Sequence, residues 1–182
     1  MIVLGIDPGT TAVGCAAVSE ERGVLALRGA ELLSIPKRGD TPEKLAALAR
    51  ALERALRRYR PELIAVEKLF FGKNAKTALA VAEARGVILL TAENLGLRVY
   101  ECTPLEVKLA VSGYGRADKK QVRAMVARLL ADPNVKEQNL GRRGRAETDR
   151  VPDDVTDAMA IAITALRYVN PVTTWPKDRG VQ

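Results

Sequence analysis

Short apolar runs alternate with helical patterns along this chain. The run Ile2–Ile6 stops at Asp7, directly before the turn signal Pro8-Gly9. A small apolar run at 13–18 follows, and then a segment at 24–35 in which apolar and polar positions mix. Short turns separate the three segments, so we predict three antiparallel strands.

The next part of the chain predicts a helical crossover to a fourth strand. Thr41 is predicted to cap a helix with Pro42 at its first position, and leucines then recur at helical spacing. The run 63–66 is short enough for a buried strand, and its position after a crossover favours pairing parallel to the first strand. Glu67 would then emerge beside Asp7.

The remaining pattern alternates helices with one more strand. We predict a helix at 74–94 with small residues along one face, a strand at 97–100, helices from 103 and at 118–131, and a last helix that runs to Leu166. Strands that alternate with helices indicate an α/β domain, which we place at residues 1–170. Residues 132–150 lack periodicity and predict a basic, flexible loop, and 171–182 predict a disordered tail.

Composition agrees with one globular domain. The chain has 182 residues, 47% of them hydrophobic and 28% charged, which is ordinary for a water-soluble fold. It contains neither 18 consecutive apolar residues nor a signal-peptide pattern at its N-terminus. We therefore expect a cytoplasmic protein without a membrane partner.

Charge and residue types narrow the chemistry. The net charge of +7 favours a polyanionic partner, with nucleic acid the first candidate. The chain has no histidine, which excludes a Ser-His-Asp triad, a Cys-His pair and histidine-bound zinc. Cys15 and Cys102 lie far apart without a CxxC spacing and are predicted to be small core residues.

Four carboxylates are the main chemical candidates. Asp7 and Glu67 each end an apolar run, and Asp154 and Asp157 stand three residues apart, which places them on one helix face. Four such charges together repel unless cations or protons compensate them. Oxygen ligands favour Mg²⁺ or Mn²⁺, and two such ions can activate a water and stabilise the leaving oxygen of a phosphodiester.

Each carboxylate also has a structural interpretation. Asp7 before Pro8-Gly9 is typical of a turn, Glu67 could cap a helix or pair with a cation, and Asp154 suits the first turn of a helix. Asp157 is harder to explain in this way, because an unpaired aspartate inside an apolar stretch is costly.

Several segments together resemble the RuvC family of bacterial Holliday junction resolvases, the crossover junction endodeoxyribonucleases. They are Gly5–Thr10, Val66–Phe70 with Lys73–Ala75, Ala84–Val87 and Asp154–Ala162, in an order that covers about residues 1–168. The resemblance implies an RNase H-like fold, with a central mixed five-stranded sheet flanked by helices. It also implies paired symmetric nicks in a four-way DNA junction, a homodimer, and the branch-migration proteins RuvA and RuvB as partners.

The resemblance also assigns roles to residues. It makes Asp7, Glu67, Asp154 and Asp157 the metal ligands, places Phe70 against unstacked bases, and brings Lys108 and Lys119 to the cut strand. Lys119 is a candidate for the catalytic set, either as a cation at the phosphate or as a general base. Other predicted DNA contacts are Phe71, Lys73, Lys76, Arg116, Lys120, Arg123, Arg142, Arg143 and Arg145.

One segment departs from the family pattern. The segment between Leu130 and Val151 is longer and richer in arginine than the family pattern, so DNA contact by its arginines competes with a solvated loop.

The small-residue face of helix 74–94 is the candidate dimer interface, since a two-fold dimer matches the near two-fold symmetry of a four-way junction.

Three other functions compete with junction resolution. Gly5–Thr11 also resembles the first phosphate motif of actin-like sugar kinases and Hsp70 ATPases, although those proteins need a second lobe. A related RNase H-like nuclease could use the same carboxylates on RNA or on RNA-DNA hybrids. A non-catalytic junction-binding module would have no need for carboxylates that repel a phosphate backbone.

Overall fold

The computed structural model describes residues 1–36, 38–68, 75–130 and 151–169, with the side chains of 75–77 left aside. The predicted loop at 132–150 and tail at 171–182 lie outside the described residues. The elements are β1 (Ile2–Asp7), β2 (Ala12–Glu21), β3 (Val24–Ser34), α1 (Thr41–Tyr59), β4 (Leu63–Glu67), α2 (Ala75–Asn94), β5 (Arg98–Cys102), α3 (Pro104–Ser112), α4 (Lys119–Leu130) and α5 (Asp153–Tyr168).

The strands form one mixed sheet in the order β3-β2-β1-β4-β5. β1 pairs antiparallel with β2, and β2 pairs antiparallel with β3. β4 lies parallel to β1 on its other side, and β5 lies parallel to β4. The three antiparallel strands, the parallel crossover strand and the five-stranded sheet are therefore confirmed.

Alternation along the strands separates two cores. Leu4 and Ile6 of β1 pack on one face with α1 and α2, together with Ile64 of β4. Val3 and Ala65 point to the opposite face, where α3, α4 and α5 pack. Residues at odd positions from 3 to 7 in β1, and from 63 to 67 in β4, consequently look toward α5.

Two predicted details of the fold can be compared with the structure. Cys15 and Cys102 are both buried in the core as free thiols, as predicted. The structure has the helix cap one residue earlier than the sequence predicts, because Asp40 is the N-cap of α1 and Thr41 is already helical. The Asp40 carboxylate accepts a hydrogen bond from the Glu43 amide at 2.9 Å, and a carboxylate is as strong a cap as a hydroxyl.

Helix α5 is central to the molecule. Eleven of its sixteen residues are buried, and its backbone lies directly on β1 at Gly5. A Cβ added at Gly5 would lie 2.0 Å from the Ala158 carbonyl oxygen and 2.7 Å from the Ala162 amide nitrogen. Only glycine permits this approach of a helix to a strand.

Among the described helices, none combines the length and hydropathy that crossing a bilayer requires.

We expect Gly5→Ala to destabilise the protein by roughly 2 to 3 kcal/mol or more, because the new methyl group would overlap backbone atoms that cannot rotate away. The midpoint of urea unfolding measures the loss. Gly115→Ala, in the turn after α3, is the matched control, since a Cβ there would meet only the ends of the exposed Leu105 and Leu109 side chains, which can rotate away. Equal midpoints for the two variants would contradict the close contact.

Candidate active site

Two carboxylates emerge from neighbouring parallel strands. Asp7 ends β1 and Glu67 ends β4, and Ile6 and Val66 are partners in the register just before them. Both acidic residues occupy strand positions that face α5. The predicted juxtaposition of Asp7 and Glu67 is confirmed by this register.

The start of α5 supplies two more carboxylates at the same edge. Gly14 of β2 is the register partner of Asp7, and a Cβ added at Gly14 would lie 1.9 Å from the Asp154 carbonyl oxygen. The first turn of α5 therefore rests directly on the strand beside Asp7. Asp157 follows one helical turn later.

The pKa of Asp7 reflects both its burial and the negative charge around it. Burial raises it most, and the charges of Asp157, Glu67 and Asp154 raise it further, from 3.8 to about 7. Lys119 acts in the opposite direction but does not compensate. The three other predicted ligands therefore all lie within electrostatic reach of Asp7.

The pKa values of Glu67 and Asp157 are also raised. Burial, followed by the charge of Asp157, raises the pKa of Glu67. Burial also raises the pKa of Asp157, despite the hydrogen bond and charge of Lys119, while Asp153 and Asp154 add to the increase. Raised carboxyl pKa values mean that the charged forms lack sufficient compensation.

Lys119, at the start of α4, is the cation of this edge. Its Nζ lies 3.2 Å from Asp157 Oδ2 and 3.3 Å from Asp153 Oδ2. Burial alone would lower the pKa of Lys119, but the hydrogen bonds and charges of Asp157 and Asp153 raise it above its ordinary value. The ammonium group is consequently protonated at neutral pH.

The donor set fits a hard divalent cation in its chemistry. Asp7, Glu67, Asp154 and Asp157 offer only oxygen, which Mg²⁺ and Mn²⁺ prefer, and added positive charge would relieve the repulsion that raises the pKa of Asp7. Among the described residues, however, no group of three or more acidic, cysteine or histidine side chains is arranged so that it could hold a metal ion. Like charges repel without a cation between them, so binding requires these side chains to move inward.

The predicted DNA contacts fall into three groups. Arg116 and Lys120 are exposed near Lys119, and Lys108 is half-buried on α3. Arg123 is directed at the start of α5, where its Nη1 donates to Asp153 Oδ1 at 2.9 Å. Phe70, Phe71, Lys73, Arg142, Arg143 and Arg145, together with the side chain of Lys76, lie outside what the structure describes.

The structure adds residues that the sequence alone did not place in the site. Asp153 binds both Lys119 and Arg123, although in the sequence it is an ordinary acidic residue in a helix first turn. Gly14 lets Asp154 approach the sheet, but in the sequence it is one glycine in a run of small apolar residues. Both roles depend on contacts between segments far apart in the chain.

Comparisons with known proteins agree with one another. Residues 3–165 match the family model of "Crossover junction endodeoxyribonuclease RuvC". RuvC of Moorella thermoacetica is 46% identical over 90% of this chain and 89% of its own length, and RuvC of Chloroflexus aggregans is 45% identical over 90% and 91%.

Solved structures show the same fold. Thermus thermophilus RuvC in complex with a Holliday junction substrate superposes with a TM-score of 0.78 at 31% identity, covering 92% of this chain and 94% of that one. The yeast mitochondrial resolvase Ydc2 has a TM-score of 0.64 at 17% identity, covering 91% and 77% of the two chains, and supports the fold alone. The RNase H-like prediction is therefore confirmed.

We expect Asp7→Asn to stabilise the metal-free protein, and more so as the pH rises. The folded state raises the pKa of Asp7 from 3.8 to about 7, so it binds this proton more tightly than the unfolded chain, and the stability that the proton contributes is lost between about pH 4 and pH 7. Urea unfolding in EDTA should show a gain of roughly 1 to 4 kcal/mol at pH 8 that shrinks toward zero near pH 4.

Glu21→Gln is the matched control for this measurement. It removes one carboxylate from the exposed pair with Arg28 at the other end of β2, where screening by water leaves little effect on stability. A gain from Asp7→Asn that does not change with pH would contradict the raised pKa.

Proposed function

The chain belongs to the RuvC family of crossover junction endodeoxyribonucleases, and on that premise we propose that it resolves four-way DNA junctions. It would hydrolyse one phosphodiester bond in each of two strands of like polarity, in recombination and repair. The observation that carries this proposal is the meeting of Asp7 and Glu67, at the ends of parallel strands, with the acidic first turn of α5. The segment Gly5–Thr10 is explained without an ATPase phosphate motif. Gly5 lets α5 approach the sheet, and Asp7 is one of the carboxylates at this edge.

Divalent metal is part of the proposal. Asp7, Glu67, Asp154 and Asp157 would hold Mg²⁺ or Mn²⁺, with two ions per site. Such ions would supply the positive charge that activates a water and stabilises the leaving oxygen, and hydrolysis of this kind would leave 5′-phosphate and 3′-hydroxyl ends. The basic surface beside the site brings the phosphodiester to it.

Lys119 acts in this site as a cation. Its pKa is raised by Asp157 and Asp153, so it holds its proton at neutral pH and is poorly suited to be a general base. A fixed ammonium group beside the acidic cluster can instead stabilise the charge that develops on the phosphate oxygens. Between the two roles that the sequence left open, the structure supports this one.

The DNA surface extends from Lys119 over neighbouring basic residues. Arg116 and Lys120 are exposed around it and can contact the phosphate backbone, with Lys108 on α3 as a further contact. Base stacking by Phe70 and Phe71, and backbone contacts by Lys73, Lys76, Arg142, Arg143 and Arg145, remain predictions from the sequence.

A homodimer through α2 completes the proposal. Ala84, Ile88 and Ala92 turn one face of α2 into the core, while Leu79 and Leu90 are 67% and 61% exposed on another face. Gly86 lies on that exposed face with open space around it, so a second helix could approach closely. Two-fold pairing would present two identical sites to strands of like polarity.

The family resemblance also supplies the cellular setting of this proposal. RuvA and RuvB are the proposed partners, since a resolvase acts on junctions that a branch-migration motor moves. With chromosomal DNA as its substrate, the protein would act in the cytoplasm of a bacterium.

Cleavage of a synthetic mobile four-way DNA junction tests the function. With Mg²⁺ or Mn²⁺ we expect paired nicks in two opposed strands, because the acidic edge and Lys119 are built for phosphodiester hydrolysis. EDTA should abolish cutting, and Asp7→Asn should reduce it by at least about a hundredfold while junction binding persists. Denaturing gels report the nicks and mobility shifts report the binding.

Two further substrates separate the competing functions. A linear duplex should stay intact, and an RNA-DNA hybrid should stay intact under the same conditions. Cutting of the hybrid in place of the junction would assign the site to an RNase H-like nuclease. Tight junction binding without cutting in either metal would leave only a binding module.

Leu90→Asp tests the dimer interface. A charge placed on the exposed apolar face of α2 should prevent association, since a buried unpaired carboxylate is costly, while the fold should tolerate it at a position that is 61% exposed. Light scattering at micromolar concentration should change from the dimer mass to the monomer mass. Val24→Asp, on an exposed valine of β3, should remain dimeric, and a wild-type monomer with full paired cleavage would reject the interface.

A further inference from the structure

Asp153 joins two basic side chains of α4 at the edge of the acidic cluster. Its Oδ2 lies 3.3 Å from Lys119 Nζ, and its Oδ1 accepts a hydrogen bond from Arg123 Nη1 at 2.9 Å. The two oxygens therefore have separate cationic partners. Asp153 is not one of the four carboxylates assigned to the metal.

The spacing of these residues produces a ladder between two helices. Lys119 and Arg123 stand four residues apart on α4, and Asp153 and Asp157 stand four residues apart on α5, so each pair shares one helix face. Lys119 contacts both acids, whereas Arg123 contacts Asp153 and donates to the Val151 carbonyl. The contacts run in opposite directions along the two helices.

We propose that Asp153 is a positioning residue that holds the Lys119 ammonium group at the active site. The proposal rests on the proposed function, in which Asp157 is a metal ligand. Of the two acids that bind Lys119, only Asp153 remains available once Asp157 is committed to a cation. Asp153 thus keeps Lys119 beside the site in the state in which phosphate is bound.

Electrostatics explains why Lys119 needs Asp153 as an anchor, that is, as a carboxylate that keeps its ammonium group beside the site. A divalent cation beside Asp157 would withdraw its carboxylate from Lys119 and would also repel the ammonium group. Lys119 is a flexible side chain with 61% of its surface exposed, so without another partner it would turn to solvent. The carboxylate of Asp153 opposes this movement.

Arg123 in turn fixes the position of the Asp153 carboxylate. Its guanidinium binds the side chain of Asp153 and the backbone of Val151, two residues earlier, and it is less exposed than either Lys119 or Asp153. A planar guanidinium with fixed partners holds one orientation better than an ammonium group would. The contribution of Arg123 to DNA binding is then indirect, through Lys119.

The first test follows the Lys119 side chain without metal or DNA. Because Asp157 also holds Lys119 when no metal is bound, the comparison is made in an Asp157→Asn background. Acetylation by an amine-reactive ester, read by mass spectrometry, should be several-fold faster at Lys119 in the Asp153→Asn/Asp157→Asn double variant than in Asp157→Asn alone, because the ion pair with Asp153 favours the unreactive protonated amine. Lys120 is the internal reference, because it makes no salt bridge with any described residue. Unchanged labelling of Lys119 would overturn the proposal, whatever the enzyme cuts.

The second test measures single-turnover junction cleavage in a double-mutant cycle. Asp153→Asn should slow cleavage roughly tenfold to a hundredfold with junction binding nearly unchanged, and it should add little to Lys119→Met. Asp153→Glu should recover part of the rate, and Glu21→Gln should match wild type. An Asp153→Asn defect of the same size in the Lys119→Met background would show a merely structural role and refute the anchor.

The two tests distinguish the role of Asp153 from the proposed function on which that role depends. A wild-type protein that leaves the junction intact would reject the proposed function, while the labelling result would still report whether Asp153 holds Lys119. Circular dichroism of each variant checks that the fold is unchanged.

Discussion

The site depends on the distance between the backbone of α5 and the sheet. Gly5 and Gly14 carry no side chain where α5 crosses β1 and β2, and a methyl group at either position would overlap backbone oxygen atoms of the helix. Because of this contact, Asp154 and Asp157 stand at the ends of the strands that bear Asp7 and Glu67. A helix held farther from the sheet by side chains at these two positions would move Asp154 and Asp157 away from Asp7 and Glu67.

The close contact of α5 with the sheet also makes the metal-free site unfavourable for folding. Half-buried carboxylates that raise one another's pKa work against folding, as the value of about 7 for Asp7 shows. Lys119 compensates only part of this charge, and it does so from α4, outside the sheet. The large core beneath α5 supplies the stability that such an edge removes.

Sequence patterns predicted most of the fold and the identity of the acidic residues. Apolar runs that end in Asp7 and Glu67 were informative because strand alternation fixes the direction of each side chain once its neighbours are buried. The cap of α1 was assigned to Thr41 in place of Asp40, since both residue types cap helices and local sequence does not distinguish them. The contacts of Asp153 could not be predicted, because its partners on α4 are thirty or more residues away and depend on how two helices pack.

The order of the ligands along the chain bears on protein synthesis. Asp7 stands on the first strand, Glu67 on the fourth, and Asp154 and Asp157 on α5, the last described helix. A nascent chain that has emerged only as far as β5 holds half of the carboxylates and no helix to complete the site. Since domains fold as units during translation, the capacity to cut DNA would appear only when the final helix docks on the sheet.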